Sequence, residues 1–273
     1  METQELLRLS WKALITNKLR SVLTTLGIII GVFAIILLVS LGAGLQTYIT
    51  SQISGLGSNL LFVIPGAEGG ARTPGGVVTN KLLLSDSKML ALRLRDTANV
   101  SAFVQKSATV KYKNKADKAV NIGGASYNYS QIVNVKVEKG ASFTQAQENS
   151  GAKVAMIGAT VVTKLFPDEN PIGKIINIGS SRYTVIGILA KRGSLFGIDQ
   201  DNAITIPITV AQREFNITNV NVIYIAAKQA DLVPFVKSQA EKILLKRLTT
   251  DDFNIQSQDT ALSTINNVTN VLS

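Results

Sequence analysis

The residue types that most often carry out catalysis are scarce in this sequence. It contains no Cys and no His, which excludes a cysteine nucleophile, a Ser-His-Asp triad, and thiolate or imidazole metal sites. A Ser-Lys dyad is the nucleophilic arrangement that the composition permits, and no particular Ser and Lys are singled out by their spacing. We therefore expect no catalytic residue, no cofactor and no metal ion, and retain a Ser-Lys hydrolase as an alternative.

Two short motifs suggest ligand chemistry, and both are weak. Lys174 ends a Gly-Lys pair, but Asp168 and Ile175 stand where a phosphate-binding loop needs glycine and Ser or Thr, so this is not a Walker A loop. Asp199 and Asp201 in "GIDQDN" could contribute to a calcium site. Because the other ligands and the spaced glutamate of a calcium loop are missing there, we expect a solvated turn.

An apolar segment near the N-terminus is the strongest structural feature. From Ser21 to Leu45 there is no charged residue, Asn or Gln, and fifteen residues from Val22 to Leu45 are Leu, Ile, Val or Phe. A span needs about 20 mainly apolar residues, so a transmembrane helix is favoured over a buried helix of a soluble protein. Cleaved signals use apolar cores of about 7–15 residues, so we favour a retained anchor over a cleaved signal.

The charges before the span predict its orientation. Basic residues outnumber acidic ones there, as is typical of the cytoplasmic side; they are Arg8, Lys12, Lys18 and Arg20. We expect an inner-membrane protein whose N-terminus is cytoplasmic and whose main domain is extracytoplasmic. Residues 1–20 are predicted to form an interfacial amphipathic helix; the residues expected at the membrane interface are Trp11, Lys12, Lys18 and Arg20.

Short strands and helices alternate along the remaining chain, which predicts an α+β domain. The expected segments are a transmembrane helix with stalk at 21–55, lobe 1 at 56–151, lobe 2 at 152–218, a return to lobe 1 at 219–258, and a final helix at 259–273. Both ends of the domain are expected at the membrane, which would bring Leu56 close to Ile265.

Two helices and one loop are predicted within the domain. The first helix starts at Ser85 and is expected to bury Met89, Leu90, Leu92 and Leu94. The second follows Ala230, and its apolar positions are Leu232, Phe235, Val236, Ala240, Ile243, Leu244 and Leu248. The segment "GSLFGIDQDN" is expected to be a loop.

The net charge of +10 is most concentrated in one lysine-rich segment, Lys106 to Lys118. This segment could attract anionic lipid headgroups or an acidic partner. We favour the alternative of a solvated edge strand protected by lysines. No nucleic-acid partner is expected.

Three separated segments resemble a known family. They are "NKLRSVLTTLGIIIGV" (Asn17–Val32), "GLGSNLLFVIPG" (Gly55–Gly66) and "LFPDENPIGKIINIGSSRYTVIGILAKRGSLFGIDQDNAITIPI" (Leu165–Ile208). With these motifs the chain resembles the MacB/FtsX-type ABC-transporter permeases, and is most similar to the MacB branch. The resemblance covers nearly the whole chain, in the order found in the family.

The resemblance implies a permease with four spans and a large extracytoplasmic domain between the first and second. That domain has a porter-like α+β lobe and a mostly β lobe. Two permeases, identical or paralogous, pair and couple hydrolysis by a cytoplasmic ATPase to movement of the external domain, exporting antibiotics, peptides or lipoproteins. An extracytoplasmic adaptor and membrane lipids are further expected partners. On this basis Gly27 and Gly31 would allow close helix packing, the alternative being glycines tolerated on a lipid face.

The sequence departs from the family pattern at both ends. No ATPase domain precedes the first span, so the ATPase is expected on another chain and this chain is expected to be non-catalytic. The sequence stops at Ser273, where the family enters its second span. We therefore expect a permease fragment truncated before that span, with an anchored sensor or adhesion domain as a further alternative.

Overall fold

The computed structural model of the protein describes Thr16 and residues 18–54, 59–66, 80–195 and 198–257. The chain separates into two compact units, residues 1–52 with 262–273, and residues 53–261. Two predictions lie outside the described residues. They are the contact between Leu56 and Ile265 and the final helix at 259–273.

One long helix, α1 (Lys18–Ser54), covers both the predicted span and the predicted stalk. Its part from Lys18 to Gly42 is long and apolar enough to cross a membrane, judged by length and composition. At about 1.5 Å per residue, these 25 residues exceed the ~30 Å hydrocarbon thickness of a bilayer. The Thr24 hydroxyl donates to the Arg20 carbonyl at 2.9 Å, which satisfies a polar group within the helix itself.

The second unit is built on one mixed ten-stranded sheet. The strands of the domain are β1 (Leu60–Pro65), β2 (Ala98–Tyr112), β3 (Lys115–Ala125), β4 (Val137–Gly140), β5 (Val154–Ile157), β6 (Ile175–Ile178), β7 (Ser181–Leu189), β8 (Ser194–Leu195), β9 (Ile198–Asp199), β10 (Ala203–Pro207), β11 (Val222–Ala227) and β12 (Phe253–Ser257). The helices are α2 (Leu84–Arg93), α3 (Tyr129–Ile132), α4 (Gln145–Asn149), α5 (Ala159–Leu165), α6 (Ile208–Phe215) and α7 (Val233–Leu244), the last preceded by a 3-10 turn (Ala230–Leu232).

Part of the sheet closes on itself. Strand β6 pairs with β2 on one side and with β7 on the other, so the pairings β2, β3, β10, β5, β7, β6 form a ring. Strands β11, β1 and β12 continue from β2 as an open antiparallel sheet. At the end of this sheet Leu61 of β1 is the register partner of Ser257 of β12.

The long strand β2 belongs to both parts of the sheet. Its first residues, up to Phe103, pair with β11, whereas Val110 and Lys111 pair with β6 beyond a register shift. The lysine-rich segment therefore includes an internal strand, and the interpretation of β2 as a lysine-protected edge is wrong. The division into lobes at 151 and 152 stays a prediction, since the ring combines strands from both of its sides.

The helices bury narrower stripes than the sequence predicts. In α2 and its C-terminal cap, Leu90 and Leu94 are buried, whereas Met89 and Leu92 are 48% and 66% exposed. A ten-residue helix lying on a sheet buries one i, i+4 stripe, so the burial predicted for Met89 and Leu92 is wrong. In α7 the buried stripe is Val236, Ala240 and Leu244, and Phe235 is 51% exposed.

The segment predicted as the loop "GSLFGIDQDN" contains a short antiparallel pairing. Ser194 of β8 is the register partner of Asp199 of β9. The predicted solvated turn is also wrong for Asp201, which is only 4% exposed. Its carboxylate accepts hydrogen bonds from the backbone N–H groups of Arg192 and Gly193 at 2.7 and 2.9 Å, so it holds the base of this hairpin together.

Candidate functional site

Four aromatic side chains meet on one face of the open sheet. Phe62 and Tyr224 are register partners on β1 and β11, and Phe103 lies on the adjacent β2. Tyr129, at the start of α3, stacks on Phe103 with ring centroids 5.1 Å apart and meets Tyr224 edge-on at 5.6 Å. All four side chains are half-buried. We call this set, Phe62, Phe103, Tyr129 and Tyr224, the aromatic wall.

The aromatic wall borders a cavity of about 390 Å³. The lining also includes residues from the end of β7, the end of the β8–β9 hairpin and β10; they are Leu189, Ala190, Arg192, Asp199, Gln200, Asp201, Ala203, Ile204 and Thr205. The side-chain amides of Gln105 and Asn121 supply polar groups to the lining. The size and the combination of apolar surface with a few polar groups are typical of small-molecule sites.

Gly123 of β3 has no side chain and so leaves room for the Phe103 ring. A Cβ atom at Gly123 would lie 2.7 Å from Cε2 of Phe103, closer than carbon atoms can approach. The next residue, Gly124, faces the other side of the strand, where a Cβ would lie 2.3 Å from the Cβ of Ala211 in α6. The paired glycines therefore allow a ring on one face of β3 and a helix on the other.

Arg192 contributes the free charge of the cavity. Its side chain is exposed and makes no ion pair among the residues that the structure describes. The two carboxylates in the lining are engaged by backbone N–H groups. Asp201 accepts from Arg192 and Gly193, and Asp199 accepts from Asp201 at 2.8 Å.

The tyrosines of the aromatic wall are held in the neutral form. Burial raises the pKa of Tyr224 above its usual range, and burial likewise raises the pKa of Tyr129. The positive charge of Arg192 lowers the pKa of both hydroxyls and so partly offsets the effect of burial. The Arg192 guanidinium therefore lies near both tyrosines. The cavity thus combines neutral aromatic surface with one guanidinium and with the two hydrogen-bonded carboxylates of Asp199 and Asp201.

The structure brings a Ser and a Lys together away from this cavity. Lys153 donates to the Ser181 hydroxyl at 3.0 Å, but Lys153 also forms an ion pair with Glu214 at 2.9 Å. A Ser-Lys dyad needs a neutral lysine as its base, whereas Lys153 is held in an ion pair with a carboxylate. Lys153, followed by the Ser181 hydroxyl, lowers the pKa of Glu214, which also makes that carboxylate a weak base.

Lys174 belongs to a surface ion-pair cluster. Glu169 forms ion pairs with Lys113 at 2.8 Å and with Lys174 at 3.5 Å. Its carboxylate also accepts a hydrogen bond from the Tyr112 hydroxyl at 3.1 Å. Bonding to Lys113 lowers the pKa of Glu169. These contacts connect the β2–β3 turn to the segment before β6. We interpret the cluster as structural. Within the described part of the chain, no group of three or more acidic side chains has a metal-binding arrangement.

The predicted membrane residues are only partly described. Trp11 and Lys12 lie outside the described residues, while Lys18 and Arg20 lie in the first turn of α1. Gly27 and Gly31 fall one turn apart on α1, and a Cβ at either would meet no atom within 4 Å. Both glycines therefore leave a shallow open strip on the helix surface, and their role in packing stays a prediction.

The sequence offered weak signals for the aromatic wall and for Arg192. Phe62, Phe103 and Tyr224 each alternate with buried aliphatic residues in their strands, which marks them as facing away from the main core. Their meeting depends on the strand order. Arg192 lies next to the predicted loop and carries no motif, so its place at the cavity follows from the hairpin that Asp201 closes.

Together, these features describe a chain with one helix of span length and an α+β domain that contains a lined cavity. The family model described as the MacB-like periplasmic core domain matches residues 21–243. The chain belongs to this family, which confirms the resemblance and the α+β fold class predicted from the sequence.

Similar proteins are named as export ATP-binding/permease proteins. The pyoverdine export ATP-binding/permease protein PvdT of Pseudomonas fluorescens is 34% identical over 90% of this chain and 37% of its own length. The macrolide export ATP-binding/permease protein MacB of Azoarcus is 30% identical over 98% of this chain and 40% of its own length. The chain thus spans about two fifths of the length of these relatives.

Two solved structures share the fold. The periplasmic region of MacB from Actinobacillus actinomycetemcomitans matches with a TM-score of 0.67 at 20% identity, covering 79% of this chain and 96% of that one. The extracellular domain of the transporter YknZ from Gram-positive bacteria matches with a TM-score of 0.60 at 19% identity, covering 73% of this chain and 100% of that one.

Proposed function

We propose that the chain is the first span and extracytoplasmic domain of a MacB-type ABC-transporter permease. The observation that carries this proposal is the family match, which begins within the apolar helix and continues through the folded domain. Relatives that match at least 90% of the chain are named export ATP-binding/permease proteins. Export of antibiotics, peptides or lipoproteins is the activity that this family membership supports.

In the proposed transporter this chain contributes motion and binding, and another part supplies hydrolysis. A cytoplasmic ABC ATPase drives the movement, a second permease copy or paralogue pairs with the chain, and an extracytoplasmic adaptor docks on the domain. The apolar helix α1 supports the membrane location. The charge bias of residues 1–20 supports a cytoplasmic N-terminus, and the ion-paired Lys153 and Glu214 favour a non-catalytic role.

Topology is the sharpest test, because the chain has no cysteine of its own. Lys115→Cys places a thiol on the exposed β2–β3 hairpin, and Thr16→Cys places one before the span. A membrane-impermeant maleimide added to spheroplasts should label the Lys115→Cys protein, and should label the Thr16→Cys protein only after lysis. The reverse pattern would overturn the proposed orientation.

Coupling requires a second experiment. The full chain is co-expressed with a cytoplasmic ABC ATPase from the same cell and purified through a tag on the chain. Retention of the ATPase, or pairing of two differently tagged copies of the chain, supports the transporter proposal. A chain that remains monomeric in the bilayer, while correctly oriented, favours the anchored sensor or adhesion domain instead.

A further inference from the structure

The aromatic wall presents four ordered, half-buried rings to the cavity. Its four rings are mutually ordered by stacked and edge-on contacts between 5.1 and 6.4 Å, yet all four stay half-buried and border an open cavity. Contiguous exposed apolar surface that is rimmed by polar groups marks interaction sites. Ordered aromatic side chains also bind flat ligands with little loss of side-chain entropy.

The unpaired cation of the lining indicates the sign of the ligand. Asp199 and Asp201 keep their negative charges and accept hydrogen bonds from backbone N–H groups, whereas Arg192 alone among the charged lining residues has no partner in the described chain and acts on the hydroxyls of Tyr129 and Tyr224. A guanidinium binds carboxylates, sulfonates and phosphates through parallel N–H donors. Beside it, the side-chain amides of Gln105 and Asn121 can complete the polar contacts.

We propose that the cavity between the aromatic wall and Arg192 binds small molecules that join a planar aromatic group to an anionic group. The ring lies against Phe103, Tyr129 and Tyr224, and the anion faces Arg192. This site goes beyond the proposed permease role, because binding here requires neither an ATPase nor a second permease. Its failure would therefore leave the transporter proposal intact, and a failure of topology or ATPase coupling would leave the binding result intact.

Four probes separate the ring from the charge. Naphthalenesulfonate carries both, naphthylmethanol is neutral, naphthylmethylammonium has the opposite charge, and methanesulfonate lacks the ring. Binding is measured by calorimetry to the full chain in lipid nanodiscs, with empty nanodiscs correcting for partition into lipid. We expect naphthalenesulfonate to bind about tenfold more tightly than naphthylmethanol, as one charge-assisted contact provides. Equal binding of the sulfonate and the ammonium would overturn the proposal.

Variants test the named residues. Arg192→Gln keeps the backbone N–H that Asp201 needs and should weaken naphthalenesulfonate binding about tenfold while leaving naphthylmethanol binding unchanged. Arg182→Gln, at an exposed arginine of β7 outside the cavity lining, is the matched control and should change neither. Arg192→Glu should reverse the preference toward naphthylmethylammonium. If both arginine variants behave alike, the site is not where we place it.

A ring substitution completes the design. Phe103→Leu keeps an apolar side chain and removes the stacking partner of Tyr129, so all naphthyl probes should weaken severalfold and methanesulfonate should not respond. Near-ultraviolet circular dichroism and the thermal midpoint of each variant report whether the fold is retained. Unchanged naphthyl binding in a folded Phe103→Leu protein would refute the aromatic half of the site.

Discussion

Asp86 and Arg247 face each other as carboxylate and guanidinium, although 161 residues separate them in the chain. The Arg247 Nε donates to Asp86 Oδ1 at 2.8 Å, and a second nitrogen donates to Oδ2. Asp86 also accepts the Leu83 N–H at 2.8 Å, which caps α2. One buried carboxylate therefore fixes the start of α2 to the segment that follows α7.

Removing the arginine should leave that carboxylate without its main partner. We expect Arg247→Gln to lower the free energy of unfolding by about 1.5–3 kcal/mol, the usual range for hydrogen bonds to charged groups. Lys246→Gln, at the exposed neighbouring residue, should have an effect below about 0.5 kcal/mol. Urea unfolding of both proteins measures the difference, and equal midpoints would show that the pair contributes no stability.

Asp252 should make the free energy of unfolding fall at acid pH. Lys81 at 2.7 Å and the Thr249 N–H at 2.9 Å lower the pKa of Asp252 to about 2. An Asp in the unfolded chain has a pKa of about 3.9. The stabilisation that ionised Asp252 provides is therefore complete above about pH 4 and is lost as the pH falls toward 2. Asp252→Asn should be less stable than the parent at neutral pH, and the difference should shrink between these two values.

The control for this pH dependence is the exposed Asp231. Thermal midpoints of the Asp252→Asn and Asp231→Asn proteins are compared with the parent from pH 7 to about 2. A difference for Asp252→Asn that persists unchanged at the acid end would contradict the ion pair with Lys81 as its cause.

Alanine substitutions at Gly140 and Gly173 distinguish backbone strain from steric conflict. Both have positive φ, +83° and +82°, so alanine at either is strained by about 1–2 kcal/mol. A Cβ at Gly140 would also lie 2.2 Å from the Ile186 carbonyl oxygen, while one at Gly173 would meet nothing within 4 Å. Gly140→Ala should therefore be clearly less stable in urea than Gly173→Ala. Similar losses for the two would mean that the strand pair β4–β7 adjusts freely.

Gly27 and Gly31 are predicted to form a helix–helix contact in the membrane. Gly27→Leu or Gly31→Leu should weaken the association of two chains, because a large side chain prevents close approach of the backbones. Thr25→Leu makes a comparable small-to-large change on the opposite face of α1. Energy transfer between labelled chains in lipid bilayers measures association, and an equal effect of all three substitutions would count against a glycine-specific interface.

Ser181 is predicted to be unreactive. The Lys153 ammonium is paired with Glu214, so it cannot take the Ser181 proton, and a fluorophosphonate probe should not label the purified chain. Glu214→Gln removes the carboxylate and provides the matched comparison. Labelling of the parent protein that disappears in a Ser181→Ala variant would place the hydrolase interpretation first.

Local patterns in the sequence were sufficient for the secondary structure that contacts the main core. The segment "NLLFVIPG" predicts β1, and the α7 segment carries its stripe of Val236, Ala240 and Leu244 at helical spacing. Strand β12 was missed because "FNIQS" is short and follows a polar turn. Its extended form is stabilised by pairing with β1, a partner about 190 residues away in the sequence.

The candidate site was harder to predict, because its residues are far apart in sequence. Phe62, Phe103, Tyr129 and Tyr224 come together through strand order and through one short helix. Asp201 illustrates the same limit in a single residue. Its surroundings in the sequence are polar, and its burial depends on the backbone N–H groups that the β8–β9 hairpin directs at its carboxylate.

The register of β1 with β12 determines how the domain carries mechanical load. Leu61 near the start of one strand is opposite Ser257 at the end of the other, so the chain enters and leaves the sheet at the same corner. A force pulling these two ends apart would break the backbone hydrogen bonds of the pair one after another, in the manner of a zipper. A displacement applied to both ends together puts no such tension across the ladder. Joint displacement of the two ends can therefore move the domain as one body, whereas opposed displacement peels β12 away from the sheet.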